Sequence, residues 1–155
     1  MTPLPLTSEF LFRMALSAGT PQMAGTARNG ELRVIPVTGG RLEGPRFNGE
    51  VLPGTAADWL RVDPDGTAHM DVRLTLKASS GGIVYMHYTG IRTGAPEVLA
   101  RLNGGQPVDP ADYYFRVAIR FETGATDLAW MNKVIAVGMG QRPPSGPTYD
   151  VYAIN

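Results

Sequence analysis

A chain of 155 residues with 43% apolar side chains is long enough to close one domain, spanning residues 1–155, around one hydrophobic core. Its 14 basic and 14 acidic residues cancel and are dispersed, which argues against nucleic acid as main partner, since that would want a clustered basic face, and against a polybasic membrane anchor. The absence of cysteine excludes disulfides, thiolate metal sites and a cysteine nucleophile, while no basic-then-apolar leader in Met1–Ser8 and no apolar run near the roughly 20 residues of a membrane span make the cytoplasm the expected location.

Nineteen Gly and thirteen Pro among alternating apolar residues predict many turns between short strands. Glu9 to Ser17 alternates as a strand. Gly19 to Gly30, with Pro21, Gly25 and Asn29, reads as turn. Glu31 to Val37 is a second strand, and Gly39-Gly40 permits a bend before Arg41 to Leu52 continues extended. Pro53-Gly54 turns the chain, and Thr55 to Trp59 reads as one helical turn. After Leu60 to Val62, Asp63-Pro64-Asp65-Gly66 is a turn in which Pro presets φ and Gly tolerates a positive φ. Ala68 to Lys77 is the cleanest strand, with Met70, Val72, Leu74 and Leu76 on one face and Asp71, Arg73, Thr75 and Lys77 on the other.

Ser79 to Gly82 reads as a hairpin into the strand Ile83 to Arg92. Pro96 to Leu102 is the one predicted helix, with Pro in its first turn and Asn103-Gly104 as its stop. Tyr113 to Glu122, Ala129 to Met139 and Tyr149 to Ile154 are further strands, with Gln141 to Thr148 as loop. The whole predicts an all-β fold, an antiparallel barrel of about eight to nine strands with one short helix. Closure is favoured because it leaves no exposed sheet edge.

Several segments carry a family pattern. They are Gly39-Gly40 through Glu43-Gly44-Pro45-Arg46, Gly49-Glu50-Val51-Leu52-Pro53-Gly54, Asp58-Trp59, Asp65-Gly66, Asp71-Val72-Arg73 and Tyr88-Thr89-Gly90-Ile91-Arg92. Tyr113-Tyr114-Phe115-Arg116, Phe121-Glu122-Thr123-Gly124 and Ala129-Trp130-Met131-Asn132 complete it. In this order and spacing, over nearly the whole chain, the sequence resembles the bacterial domain-of-unknown-function family 3237, also catalogued as uncharacterised protein family 0311. The resemblance implies an antiparallel barrel similar to the allene-oxide-cyclase type or a lipocalin, holding a small, partly apolar molecule in its lumen without a cofactor. Leu74, where an aromatic is usual, and Ser79-Ser80, where acidic residues are common, depart from the pattern.

Each residue with chemical potential has two readings. Asp71 and Arg73 share a strand face, and in a water-poor site they bind a polar substrate or orient a catalytic group. On a solvated face they are a cross-strand ion pair worth roughly 0–1 kcal/mol. Tyr114 and Arg116 repeat that geometry and either stabilise an oxyanion or pack with Arg covering Tyr. Glu122 is a general base in a barrel mouth or a surface partner for Arg. Asp58 and Trp59 are a helix cap and a barrel plug, or a carboxylate and stacking wall facing a pocket. Trp130 and Asn132 suit an aromatic or carbonyl ligand or are simply packed. Tyr88 joins the ligand-binding set.

His69 and His87, each alone in its strand, make no metal signature. No Gly-x-Ser-x-Gly elbow appears, and Gly104-Gly105 lacks the lysine and context of a phosphate loop. The leading expectation is a cofactor-independent enzyme of lyase, isomerase or cyclase type, acting on a small carbonyl or phenolic compound in the lumen. A non-catalytic carrier or sensor is its rival, and a structural or homo-oligomeric role is third. The enzyme needs carboxylate and arginine to converge in one concave site, the carrier a cavity without a carboxylate, and the structural role a filled lumen.

Overall fold

The computed structural model describes residues 1–155. Ten strands follow in chain order: β1 Ser8–Ala18, β2 Gln22–Ala27, β3 Gly30–Glu43, β4 Gly49–Val51, β5 Ala57–Val62, β6 Ala68–Ala78, β7 Ile83–Gly94, β8 Tyr113–Thr123, β9 Ala136–Gln141 and β10 Thr148–Ile154. One α-helix, α1 Pro96–Asn103, and two 3₁₀ segments, Pro110–Asp112 and Thr126–Lys133, connect them.

All pairings are antiparallel. The sheet runs β1-β10-β9-β8-β7-β6, passes through β4 and β5 to β3, and closes where β3 pairs with β1. β4 and β5 share one position between β3 and β6. β2 prolongs the line of β1 along the N-terminal half of β3. The result is a closed barrel of eight staves with two supplementary strands.

The alternation of β6 decides which face is inside. Ala68, Met70, Val72, Leu74, Leu76 and Ala78 are buried, while Asp71, Arg73, Thr75 and Lys77 turn outward. The turn before β6 forms as its sequence demands. Gly66 takes φ +87°, its N–H donates to the Asp63 carbonyl at 2.9 Å, and Asp65 accepts from the Thr67 N–H at 2.8 Å. α1 starts on Pro96 and buries Leu99 and Leu102, with Leu99 lying against Gly66.

The two ends of the barrel differ. At one, Phe12 packs against Phe47 and Phe121, with ring centroids 5.6 and 6.2 Å apart. The 3₁₀ segment Thr126–Lys133 inserts Leu128 and Met131 there. At the other end, under α1, the lumen stays open.

Eight staves agree with the expected barrel, and three other expectations need correction. Thr55 to Trp59 holds no helical turn, because Ala57 and Asp58 already pair with β3 and β6. Gly19 to Gly30 contains β2, which exists because the N-terminal half of β3 extends beyond β1 and takes a partner there. Ala129 to Met139 divides into the end of the second 3₁₀ segment and β9, since the i, i+3 pair Leu128 and Met131 both face the core, which a helical turn allows and an alternating strand does not.

Candidate functional site

The open end of the lumen is a cavity of about 430 Å³. Its walls are mainly apolar, with Leu60, Met70, Val72, Phe115 and Ile35 prominent. Into it converge Asp58 from β5, Tyr88 and Arg92 from β7, Tyr149 from β10 and Arg142 from the segment after β9. Asn103, from the end of α1, and Arg33 stand among the lining residues too. Arg33 is already paired with Glu31 at 3.0 Å.

Asp58 occupies a break in the sheet. The β5–β6 ladder pairs Ala57 with Arg73 and Asp58 with Val72, skips Trp59 and Leu60, and resumes at Arg61 opposite His69. In that gap the Asp71 N–H donates to Asp58 Oδ1 at 3.1 Å. One backbone donor does not replace the lost hydration. Burial pushes the Asp58 carboxyl up to about 6, aided by the negative charge of Asp71 and opposed by the Asp71 N–H and by Arg92.

Arg92 lies with its guanidinium carbon 5.7 Å from the centre of the Phe115 ring. Burial lowers its pKa, and the nearby charge of Arg142 lowers it further, against the pull of Tyr149, Tyr113 and Asp58. Tyr88 and Tyr149 are buried with their hydroxyls 3.5 Å apart and their rings edge to face at 5.5 Å, and Phe115 meets Tyr149 at 5.3 Å. Burial raises both phenols above their ordinary pKa, so at neutral pH they are uncharged donors. Arg142 is anchored by its backbone N–H to the Tyr113 hydroxyl at 2.8 Å and by its guanidinium to the Pro143 carbonyl at 3.2 Å. The assembly offers one carboxyl poised near neutrality, two cations and two phenols, against an apolar wall.

Of the residues singled out in the sequence, Asp58 and Tyr88 line this cavity. The others do not. Asp71 and Arg73 stand outside, where Asp71 Oδ1 accepts from His87 Nε2 at 2.8 Å and Arg73 donates to the Tyr85 hydroxyl at 3.0 Å. Tyr114 and Arg116 are also on the outer wall, the guanidinium 5.2 Å from the ring centre. Glu122 is exposed on the same face. The catalytic set built on these five is therefore not gathered in a concave site. A barrel this narrow fills its inner face with apolar side chains, and the polar alternates of β6 and β8 meet water.

Trp59 is 37% exposed on β5. Trp130 lies under the Arg46 guanidinium at 4.4 Å near the closed end. Asn132 spends its amide on the Thr123 main chain, accepting from its N–H at 2.8 Å and donating to its carbonyl at 2.9 Å. Its role there is to fix the 3₁₀ segment to the end of β8.

Arg92, Arg142 and Tyr149, like Arg33 and Asn103, are polar lining residues that sequence reasoning does not single out as site residues. For Arg92 and Tyr149 a signal existed. Arg92 has the same parity as the inward Tyr88, and Tyr149 the same parity as Val151 and Ala153. Arg142 lies outside any strand, and no periodicity reaches it. No group of three or more His, Cys, Asp or Glu side chains is clustered to hold a metal ion, and no helix is long and apolar enough to cross a membrane.

Fold and site together define a small antiparallel β-barrel, packed solid at one end and open at the other over an acid and two arginines. The chain belongs to the DUF3237 family, described as proteins of unknown function, whose profile matches residues 6–154. A UPF0311 protein of Rhodopseudomonas palustris is 33% identical over 99% of both chains. A crystal structure of a protein of unknown function from that organism superposes with TM-score 0.91 over the full length of both. A β-barrel-like protein of Acinetobacter baumannii, 35% identical, superposes at 0.86 over 99% of each chain. A hydroalkoxylation enzyme of Penicillium herquei is 27% identical over 88% of this chain and 75% of its own.

Proposed function

We propose that the open lumen is the active site of a cofactor-independent enzyme of lyase, isomerase or cyclase type, acting on a small carbonyl or phenolic molecule. The observation that carries this reading is Asp58: a carboxyl inside the cavity, titrating at about 6, with arginine near it. A group poised there takes and returns protons at neutral pH with little driving force lost in either direction. Arg92, Arg142 and the neutral Tyr88 and Tyr149 hydroxyls supply donors for an oxyanion that forms as the proton moves. Phe115, Leu60 and Val72 supply the dry wall. A carrier needs no carboxylate at its ligand, and a structural barrel needs no open lumen, so both rivals explain less.

The relative from Penicillium herquei supports the same reading, since hydroalkoxylation breaks an O–H bond and a C=C π bond and forms a C–O and a C–H bond, so a group that accepts and returns the proton assists it. The test is a panel of small phenols bearing an ortho alkenyl chain and of small enolisable ketones, followed by NMR in D₂O for ring closure or carbon-bound deuterium. The wild type should turn over at least one, with a pH limb near 6. Asp58→Asn should lose about 10²–10⁴-fold in rate. Glu122→Gln, exposed on the outer wall, should be unaffected. Equal rates in wild type and Asp58→Asn would refute the proposal, as would no turnover of any panel member.

A further inference from the structure

The charges lining the cavity do not balance. Four charged residues line it: Asp58, Arg33, Arg92 and Arg142. Arg33 has its own carboxylate in Glu31. The six ion pairs of the molecule, Arg13–Asp150, Arg33–Glu31, Arg41–Glu43, Arg46–Glu9, His69–Asp63 and His87–Asp71, include neither Arg92 nor Arg142. Asp58, the one carboxylate in the cavity, comes within 4 Å of neither. The lumen thus keeps a positive excess of one with Asp58 ionised, and of two with it protonated.

That excess is directed inward. No enclosed side-chain nitrogen or oxygen lacks a partner, so the donors of Arg92, which has no ion partner, open into the cavity. Its guanidinium is steadied by the Phe115 face behind it. Arg142 is fixed independently through its own main chain and Pro143. Two like charges held near each other in a partly dry site repel, and an anion between them relieves the repulsion of both. The planar fork of a guanidinium matches a delocalised pair of oxygens and not a single neutral carbonyl. The lining as a whole is largely apolar, 12 of 19 residues, which suits the body of such a ligand and not a sugar or a polyphosphate. A cavity of about 430 Å³ lies in the lower part of the range for small-molecule sites, about 300–1,000 Å³.

We infer that the lumen selects organic monoanions, molecules with one delocalised oxyanion, carboxylate or ionised enol or phenol, on a compact apolar body, with the oxyanion held between Arg92 and Arg142. This deepens the proposed function by naming the charge class of its substrate, and it rests on the lumen being a ligand site, not on its being catalytic.

The test is calorimetric binding at pH 7 to the full chain. Cinnamate is compared with cinnamamide and 3-phenylpropanol, and 4-nitrophenolate at pH 8 with 4-nitroanisole. The anion of each set should bind at least about tenfold more tightly than its neutral counterparts. Preference for cinnamate alone identifies a carboxylate ligand, preference for the phenolate alone an ionised phenol or enol, and both keep the inference. Arg142→Gln and Arg92→Gln should each remove the preference. Should Arg92→Gln misfold, Arg92→Lys keeps the charge without the fork and should reduce the preference while circular dichroism stays native. Asp58→Asn should bind the anions as well as or better than wild type, because a like charge is gone. Neutral probes binding equally well, no anion binding up to millimolar concentration, or a preference surviving both arginine substitutions would overturn the inference. Selective anion binding without Asp58-dependent turnover leaves the inference standing and ends the catalytic reading; turnover without anion selectivity does the reverse.

Discussion

Replacing Asp58 by Asn should make the protein more stable above pH 6, and the gain should vanish in acid. The carboxyl titrates at about 6 in the folded chain against an ordinary 3.8. Between those values the folded state holds the proton more tightly than the unfolded one, so stability falls as pH rises through that window. The gap of about 2 in pKa, at about 1.4 kcal/mol each, amounts to about 3 kcal/mol once the group is ionised in both states. Asn has no charge to bury, and its side-chain oxygen still accepts the Asp71 N–H that Asp58 takes now. In urea unfolding at a series of pH values, the two proteins should coincide near pH 4 and diverge toward pH 7, the variant ahead by up to about 3 kcal/mol. In melting temperature, that is about 2–4 °C per kcal/mol for a chain of this size. Parallel stability profiles, or a variant less stable at pH 8, would show the carboxylate to be well solvated or firmly paired, and the basis for its role as a proton shuttle would go with it.

Two further outcomes follow from the packing. A methyl group on Gly140 would sit 2.5 Å from the Phe115 ring. Gly140→Ala should therefore push that ring toward the lumen, cost about 1–3 kcal/mol in chemical denaturation, and weaken the binding of cinnamate. Asn132→Ala strips both hydrogen bonds from the Thr123 main chain. It should destabilise by about 1–3 kcal/mol while leaving ligand affinity at the far end of the barrel unchanged, as calorimetry would show.

The strands that sequence reveals are those whose two faces meet different media. β6 alternates without a fault over eleven residues, and β8 does so with Phe115, Val117, Ile119 and Phe121 inward. β2 shows nothing of the kind, because its side chains are nearly all exposed and its pairing rests on backbone bonds to β3. The site was half legible for a related reason. Chemistry-bearing residues on strands attract notice by type, yet their parity decides whether they face the lumen. Asp71 and Arg73 belong to the odd, outward set of β6, and Asp58 reaches the lumen at a gap in its ladder. Arg142 comes from the segment between two strands, where only three-dimensional proximity to Arg92 gives it meaning.

The closing seam of the barrel has a consequence for how the protein is made. β1 finds its partner in β10, with Ser8 opposite Ile154 and Ala15 opposite Thr148. Until β10 has left the ribosome, nine strands exist with no way to complete the ring, and the edges of β1 and β9 stand unpaired. The cavity has no complete wall either, since Tyr149 belongs to that last strand. Barrel and binding site are therefore completed only after synthesis of β10, by pairing the two ends of the chain. Such long-range closure belongs to the slow regime of folding, and the open edges of the unfinished sheet are surfaces on which a neighbouring chain can pair.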